Sequence, residues 1–300
     1  MIKNMEDTQP TRSVESFQPI TIQPTLKIRK GKFSRAKKGF WYFLFLIVIY
    51  FLAPFRTNIL LLGTDDSPDR GALGRTDTII LTTIVPLKPY VGMLSIPRDL
   101  WVTIPNVGEQ RINTAYFFAE ASKPGTGGDA AMQTIRENFR VTVRNYAVIH
   151  MSGMVAAVDA LGGVEIQLNQ TSGGYPAGRH NLTGIEALTF VRDRATSNDF
   201  SRMQRTQILL LAMLNKGFEP SSWPKLPQFV FSLAKSVDTN IPLWQWPRLI
   251  FVFVRAPLVG IDSRTITPDM VVPFQTSGGA QVLGPNWEAI NLLTKEMFGQ

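Results

Sequence analysis

The chain has 300 residues, of which 44% are apolar, so it is long enough for one large domain with a substantial core. It has no cysteine and only two histidines, which excludes disulfide bonds, thiolate chemistry and Cys- or His-rich metal sites. Any bound metal must therefore take oxygen ligands, which favour a hard cation such as Mg²⁺ or Mn²⁺.

The net charge of +8 is unevenly distributed along the chain. Residues 1–39 carry nine Lys or Arg against three acidic residues, whereas the remaining residues carry 22 against 20. A nucleic-acid-binding domain concentrates its basic residues on the folded surface. Here the basic excess lies just before an apolar segment, which argues against a nucleic-acid partner.

The N-terminal region is predicted to be a disordered tail followed by a membrane anchor. Residues 1–38 are polar and rich in Pro, Thr, Gln and Lys, which is typical of disorder. The apolar residues 40–53 would form about 21 Å of helix, short of the roughly 30 Å hydrocarbon core. Counting from Lys38, whose side chain can reach the interface, to Phe55 brings the segment close to spanning, and Trp41 and Tyr42 suit an interface. The sequence therefore predicts a transmembrane helix over 39–56, with residues 1–38 in the cytoplasm and the rest outside the cell membrane.

Two alternatives compete with the anchor. A cleaved signal peptide needs small residues near its cleavage site, where bulky Phe51 and Leu52 stand instead. A buried helix of a soluble domain would leave the preceding basic cluster unexplained. The anchor explains both the apolar run and its flanks, and we prefer it.

From residue 57 onward, β-rich and helical patterns alternate. Pro86 and Pro89 bracket a turn and predict an antiparallel strand pair. The alternation predicts an α/β fold, a mixed sheet with helices on both faces (an α-β-α sandwich). Strands are predicted over 58–62, 78–85, 90–96, 146–150 and 164–168, and helices over 130–139, 153–161, 185–190 and 200–214.

The composition of the chain changes after residue 217, where prolines at 220, 224 and 227 are followed by apolar stretches. We expect 57–217 to form the catalytic domain and 218–300 to be a C-terminal extension or a subdomain that completes the fold. The apolar run 249–254 is too short to span a bilayer, so it is expected to be a core strand or a packed helix.

Arginines and aspartates cluster where the predicted strands and helices end. Arginine presents a planar fork that matches phosphate oxygens, and it stays charged at any relevant pH. Each residue alone would be read as a turn, a cap or a surface charge, but open α/β sheets bind ligands at such ends. The clustered residues are Asp65, Arg75, Asp77, Arg98, Asp99, Arg111, Arg192, Arg194, Asp199, Arg202 and Arg205.

The spacing of these residues supports a shared site. Arg192 and Arg194 are two apart, which in extended backbone points both side chains to one side. Arg202 and Arg205 are three apart and would share one face of a helix, for which Asp199 is a suitable N-cap.

Six motifs in this region resemble the LytR-CpsA-Psr family. They are NILLLGTD at 58–65, GRTDT at 74–78, LSIPRD at 94–99, RINTAY at 111–116, VDALGGV at 158–164 and DFSRMQR at 199–205. Proteins of this family lie outside the cell membrane on one N-terminal helix and transfer glycopolymers to the cell wall. The resemblance implies a magnesium-dependent phosphotransferase with a polyprenyl pyrophosphatase side activity. Its partners would be a polyprenyl diphosphate-linked glycan donor, a peptidoglycan or other wall acceptor, and the membrane.

The resemblance also implies a role for each matching residue. Asp65 and Asp77 match the magnesium-binding aspartates of the family. Residues that match diphosphate-binding positions, or lie beside them, are Arg75, Arg98, Arg111, Arg192, Arg194, Arg202, Arg205 and Gln207. Arg111 stands where the family often has Lys, Ser67 where it commonly has Arg, and Thr206 where it favours Gln.

The reaction requires residues that stabilise charge and one that removes a proton. Arg75 and Arg98 would stabilise charge on phosphate oxygens. Asp99 is a candidate general base, although a role as a turn residue explains it equally well.

A second class of function stays open. The sequence contains neither a P-loop motif nor a G-x-S-x-G motif, which argues against a nucleotide site of that kind and an α/β-hydrolase. The alternative is a non-catalytic, membrane-anchored protein that binds lipid diphosphates or wall glycan.

Overall fold

The computed structural model describes residues 32–53, 55–64, 74–86, 90–193, 199–234, 236–255 and 260–299. The chain divides into two units, residues 1–46 and residues 47–300. Helix α1, Lys32–Leu52, begins in the first unit and ends in the second. Within the described residues, no helix combines the length and the apolar character that crossing a membrane requires.

The second unit alternates strands and helices after residue 57. Its described strands are β1 Thr57–Thr64, β2 Thr76–Val85, β3 Tyr90–Ser95, β4 Trp101–Ile104, β5 Gly108–Arg111, β6 Asn145–His150, β7 Val164–Leu168, β8 Gly178–Leu182, β9 Val237–Thr239, β10 Ile261–Thr265, β11 Val271–Gln275 and β12 Gln281–Pro285. Its described helices are α2 Thr114–Ser122, α3 Gly127–Phe139, α4 Met151–Leu161, α5 Gly184–Arg192, α6 Asp199–Phe218, α7 Leu226–Ala234, α8 Trp246–Arg255 and α9 Trp287–Phe298.

Six strands form one mixed sheet in the order β10-β3-β2-β1-β6-β9. β1 is parallel to β6 and antiparallel to β2, and β3 is parallel to β10. β2 and β3 are antiparallel, which confirms the pairing predicted from the two prolines. Both edge strands, β9 and β10, come from residues after 217. The pairs β4–β5, β7–β8 and β11–β12 form separate two-stranded hairpins.

Helices cover both faces of the sheet. Along β1, Leu60 and Leu62 belong to a core that includes side chains of α3 and α9. Ile59 and Leu61 belong to a second core, which includes side chains of α6 and α8. Since successive side chains of a strand point to opposite faces, this alternation places one helical layer on each side. The mixed α/β fold predicted from the sequence is confirmed.

Local signals explain several element ends. α4 ends at Leu161, and Gly162 follows with a φ of 82°, a left-handed conformation that glycine adopts without strain. α5 begins with a capping box, in which Thr183 and Glu186 bond each other's backbone N–H groups.

The structure decides two predictions about local structure, at residues 192–194 and 249–254. The prediction of extended backbone at 192–194 is wrong for Arg192, because this residue is the last of helix α5. The capping box starts a helix whose buried Ala187, Phe190 and Val191 carry it to that point. The run 249–254, expected to be a strand or a helix, lies within helix α8.

Candidate functional site

One end of the sheet brings together residues that are far apart in sequence. Thr64, at the end of β1, pairs with Thr76 on β2 and with His150 on β6. β3 runs antiparallel to β2, so its last residue, Ser95, lies beside Ile80 at the same end of the sheet. The connections that leave these strands therefore meet at one place.

A cavity lies at this end of the sheet. Its lining comes from the start of β2, the end of β3, the start of α4 and the facing sides of α5 and α6. The lining residues are Asp77, Thr78, Ser95, Arg98, Met151, Val191, Arg192, Arg202, Met203 and Thr206. Four of them, Asp77, Arg98, Arg192 and Arg202, are site residues predicted from the sequence.

Arg98 is held by the two aspartates beside it. Its Nη1 donates to Oδ1 of Asp77 at 2.8 Å, and its Nε donates to Oδ2 of Asp99 at 3.3 Å. The side chains of Arg98 and Asp77 are 22% and 14% exposed, so their ion pair is shielded from water but still open to a ligand. These contacts orient the guanidinium before any substrate arrives.

Asp99 links Arg98 to Arg111 and lies behind the cavity wall. Its Oδ1 is 3.2 Å from Nε of Arg111, and its backbone carbonyl accepts a hydrogen bond from the backbone N–H of Leu283 at 3.0 Å. Arg111 in turn donates from Nη2 to the carbonyl of Gln281 at 2.8 Å. The structure thus places Asp99 and Arg111 in contact with hairpin β11–β12, and neither residue lines the cavity.

Helix α6 presents the cavity with one side and the core with another. Arg202 and Thr206 line the cavity, and the Thr206 hydroxyl donates to the carbonyl of Arg202 at 3.0 Å. Arg205 is only 1% exposed, and its Nη2 donates to the carbonyl of Asp193 at 2.6 Å. Burial lowers the pKa of Arg205, and the nearby Asp193 carboxylate opposes this effect. Arg205 is therefore a core residue of the α5–α6 packing, next to the site.

Gln207 also lies away from the cavity wall. Its Nε2 donates to Oγ of Ser95 and to the carbonyl of Arg264, each at 2.7 Å. These bonds tie α6 to strands β3 and β10. A contact between Gln207 and a diphosphate stays a prediction.

The remaining predicted residues are not brought together by the described structure. Arg75 is exposed, precedes β2 and lies over the ring of Phe117, with 5.9 Å from its guanidinium carbon to the ring centroid. Asp65, Arg194 and Ser67 lie outside the described residues. Helix α6 begins at Asp199, one residue before the predicted start at residue 200, and the side chain of Asp199 lies outside the described residues, so its predicted role as N-cap stays a prediction.

Sequence reasoning missed several residues of the cavity. The hydroxyls of Thr78 and Ser95 and the apolar side chains of Met151, Val191 and Met203 line it. Met151 directly follows strand β6, so the rule that ligands bind at strand ends could have found it. Hairpin β11–β12 carries no local signal for its contacts with Asp99 and Arg111, because those contacts form only on folding.

A hydrogen-bonded chain lies beside the cavity. The buried hydroxyl of Thr64 is 3.1 Å from Nδ1 of His150, and Nε2 of His150 is 3.1 Å from Oδ2 of Asp238. These contacts join β1, β6 and β9 and fix the backbone immediately before Asp65.

The cavity offers a hard cation two oxygen donors. Asp77 supplies a carboxylate, and Thr78 supplies a hydroxyl. No group of three or more His, Asp or Glu among the described residues is arranged to hold a metal ion. A Mg²⁺ ion commonly uses one or two carboxylates and completes its shell with substrate phosphates and water, so this donor set fits one.

Comparisons with known proteins agree with this architecture. A relative from Oceanobacillus iheyensis, named as the polyisoprenyl-teichoic acid–peptidoglycan teichoic acid transferase TagU, is 37% identical over 248 residues, or 81% of this chain and 75% of that protein. A TagU from Bacillus cereus is 32% identical over 191 residues, or 61% of this chain and 60% of that protein.

Solved structures share the fold. TagT bound to LIIa-WTA superposes with a TM-score of 0.64 at 23% identity, over 82% of this chain and 91% of that one. TagV of Bacillus subtilis superposes with a TM-score of 0.65 at 22% identity, over 82% and 98%. The family model described as the LytR_cpsA_psr family matches residues 54–280. Because that match covers most of the chain, including every described segment of the cavity, the chain belongs to the LytR-CpsA-Psr family.

Proposed function

We propose that this chain transfers a glycan phosphate from a polyprenyl diphosphate carrier to a hydroxyl of a cell-wall acceptor. The observation that carries the proposal is the cavity, where Arg98, Arg192 and Arg202 accompany one carboxylate, that of Asp77. The net charge of these four side chains is positive, which suits a diphosphate diester. The names of the relatives, which are teichoic acid transferases, support the same class of reaction.

The proposed reaction is a displacement at phosphorus. An acceptor hydroxyl oxygen attacks the phosphorus that carries the glycan, and a new P–O bond forms. The bond from that phosphorus to the bridging oxygen breaks, and the bridging oxygen leaves on the polyprenyl phosphate. Arg98, Arg192 and Arg202 would offset the charge that grows on this leaving group. Attack by water in place of the acceptor would give the pyrophosphatase side activity.

The hydroxyl proton must pass to a base. With Asp77 assigned to the cation, Asp99 is the candidate among the described residues close to the cavity. Its contacts with Arg98 and Arg111 hold the carboxylate in one orientation. The same contacts would also suit an alternative role, in which Asp99 only positions Arg98.

A Mg²⁺ or Mn²⁺ ion is proposed as the cofactor. Asp77 would hold it, together with Asp65 and phosphate oxygens of the donor. When bound, the cation would neutralise negative charge on those phosphate oxygens. Around it, Arg98 keeps Asp77 in place through the 2.8 Å hydrogen bond.

The test is turnover by the full chain in detergent micelles. Purified protein would be mixed with a polyprenyl diphosphate-linked glycan, Mg²⁺ and wall fragments, and release of polyprenyl phosphate would be measured. We expect Asp77→Ala and Arg98→Ala to lower the rate by roughly 10²- to 10³-fold, the usual effect of removing a group that stabilises transition-state charge. Arg179→Ala, at a side chain 76% exposed, is the matched control and should retain the wild-type rate.

Two outcomes would contradict the proposal. Full activity in both Asp77→Ala and Arg98→Ala would show that the reaction does not take place in this cavity. Wild-type protein that binds the donor but never releases polyprenyl phosphate would favour a non-catalytic binding protein.

We also propose that α1 anchors the chain in the cell membrane, with the folded domain outside. Ten consecutive apolar residues of α1, 40–49, are each at least 36% exposed. An exposed apolar surface of this extent commonly marks an interaction with a membrane or a partner. Lys37 and Lys38 precede it and could reach the interface with their side chains.

A further inference from the structure

A second cavity lies at the opposite end of β1 from the first. It is formed where α1 joins β1, close to the segment before β6 and to the start of α8. Arg56, Arg144 and Arg248 line it, and among its described lining residues there is no Asp or Glu. Since β1 has eight residues, its two ends are about 23 Å apart, and the two cavities share no lining residue, so this second site is separate from the proposed transfer site.

Two of the three arginines of the second cavity are held in place by backbone carbonyls. Nη2 of Arg248 donates to the carbonyls of Ala53 and Phe55 at 2.8 and 2.7 Å. Its Nε is buried and has no hydrogen-bond acceptor among the described residues. Nη1 of Arg56 donates to the carbonyl of Met297 at 2.7 Å. Without a lining carboxylate, this cluster of fixed positive charge is suited to an anion.

Two residues that line the cavity also carry buried acceptor atoms that lack donors. Asn58 donates from Nδ2 to the carbonyl of Thr142 at 2.8 Å, which leaves its Oδ1 buried with no donor in the described part of the chain. Oε1 of Gln245 is also buried and also has no donor in the described part of the chain. Buried polar atoms are usually paired. A ligand that carries both phosphate oxygens and hydroxyl groups would satisfy the arginines and the two amide oxygens together.

The rim of the second cavity is apolar and exposed. Phe55 is 69% exposed, Trp244 is 62% exposed and the neighbouring Leu243 is 83% exposed. The end of α1 is tied to this rim, because the Tyr50 hydroxyl donates to the carbonyl of Trp244. Aromatic side chains beside arginines are typical of a membrane interface, where the ring meets acyl chains and the arginine meets headgroups.

We propose that this second cavity binds the glycerophosphate headgroup of an anionic membrane lipid. The phosphate would lie against Arg144 and Arg248, and the headgroup hydroxyls would donate to Asn58 and Gln245. Phe55 and Trp244 would contact the acyl chains. The proposal rests on the membrane location of α1 proposed above and is independent of the transfer chemistry.

The experiment uses the full chain in detergent micelles and native mass spectrometry. An equimolar mixture of phosphatidylglycerol and phosphatidylcholine is added, and the lipids retained per protein are counted. We expect the wild type to retain phosphatidylglycerol in preference. Arg144→Gln should lower this retention by about tenfold, the usual scale for one charge-assisted hydrogen bond. Arg179→Gln, which removes another exposed charge away from this cavity, should not change it.

A second variant protects the test from misfolding. Gln245→Glu has nearly the same shape and places a negative charge beside the headgroup, so it should also abolish the preference. Polyprenyl phosphate release is measured on the same samples and should be the same in Arg144→Gln as in the wild type. If the wild type releases none, the transfer proposal fails, and the lipid preference is still read from the mass spectra.

Three results would overturn the proposal. One is equal retention of phosphatidylcholine and phosphatidylglycerol by the wild type. Another is unchanged preference in both Arg144→Gln and Gln245→Glu. The third is displacement of bound lipid by soluble glycerol 3-phosphate at equal concentration, which would assign the site to a water-soluble or polymeric glycerophosphate.

Discussion

Arg202 and Arg205 lie three residues apart on α6 and have different surroundings. Arg202 lines the first cavity, whereas Arg205 is buried and donates to the carbonyl of Asp193. Their spacing predicted a shared helix face, and the structure divides that face between the cavity and the core around Leu209. Sequence spacing cannot make this division, because burial depends on which elements pack against the helix.

The different surroundings lead to opposite expectations for two matched substitutions. Arg205→Met should lower the free energy of unfolding by about 1–3 kcal/mol, because the half-buried Asp193 carbonyl loses the hydrogen bond from the Arg205 guanidinium. Arg202→Met should change stability by less than about 1 kcal/mol and should slow polyprenyl phosphate release. Urea denaturation and the transfer assay measure the two effects. An Arg205→Met protein with wild-type stability and lost activity would place Arg205 in the ligand site instead.

One departure from the family pattern, Thr206, can be placed in the structure, together with Gln207 beside it. Thr206 bonds its own helix, and Gln207 bonds β3 and β10. Thr206 still lines the cavity with a short side chain where a longer amide is usual in the family. The sequence could locate the departure, but only packing showed that Gln207 does not replace the missing amide at the wall.

Among the elements, strand ends were predictable and long-range hairpin contacts were not. The sequence of residues 94–99 predicts a strand that ends before Pro97, and β3 does end at Ser95. The position of β11–β12 against Asp99 and Arg111 depends on residues about 170 positions apart. Such contacts leave no period or spacing in the sequence.

Helix α1 is the element proposed to anchor the chain in the membrane. If α1 lies in the membrane, Phe45→Lys with Ile49→Lys should release the chain from it, since each charge costs roughly 2.5–3.5 kcal/mol at the centre of a membrane helix. Alkaline carbonate extraction of cell membranes, followed by immunoblotting, gives the fraction retained. Ile185→Lys with Leu292→Lys, at positions 70% and 67% exposed on the folded domain, is the control and should stay in the pellet. Release of the wild type by carbonate would contradict the anchor.

At the scale of the whole molecule, the C-terminal residues close the sheet that the first half of the chain begins. β10 adds parallel to β3, and α9 packs into the core beneath it. Arg264 on β10 bonds Asp262 at 2.9 and 3.0 Å and Glu296 of α9 at 2.9 Å. The Tyr90 hydroxyl on β3 donates to Asp262 at 2.9 Å, and burial together with this bond raises the pKa of Tyr90 to about 12. One cluster thus joins β3, β10 and α9.

The cluster predicts how stability depends on acid. Burial opposes ionisation of Asp262, but bonds from Arg264 and Tyr90 outweigh it and lower its pKa, and the bond from Arg264 lowers the pKa of Glu296. A carboxyl group with a lowered pKa stabilises the fold above its ordinary value, and that contribution is lost as pH falls through the lowered one. Wild type should therefore lose stability below the ordinary values of 3.8 and 4.5 more steeply than Arg264→Met.

Urea denaturation midpoints between neutral pH and about pH 3 would measure this difference. Arg179→Met, which removes an exposed cation 3.8 Å from Glu165 on the surface, is the control for a general charge effect. Parallel acid profiles of wild type and Arg264→Met would contradict a role for the cluster in closing the sheet.

Apart from β4, β5, α2 and β8, which it missed, the sequence by itself determined the mixed α/β fold, the strands and helices predicted between residues 58 and 214, and the family. These features follow from hydrophobic periods and from motifs that are read along the chain. Only the tertiary structure decided which arginines reach the cavity, that the edge strands come from residues after 217, and that a second basic cavity exists. Those outcomes depend on packing between residues distant in sequence, where burial and hydrogen bonding, and not local pattern, determine what each side chain contacts.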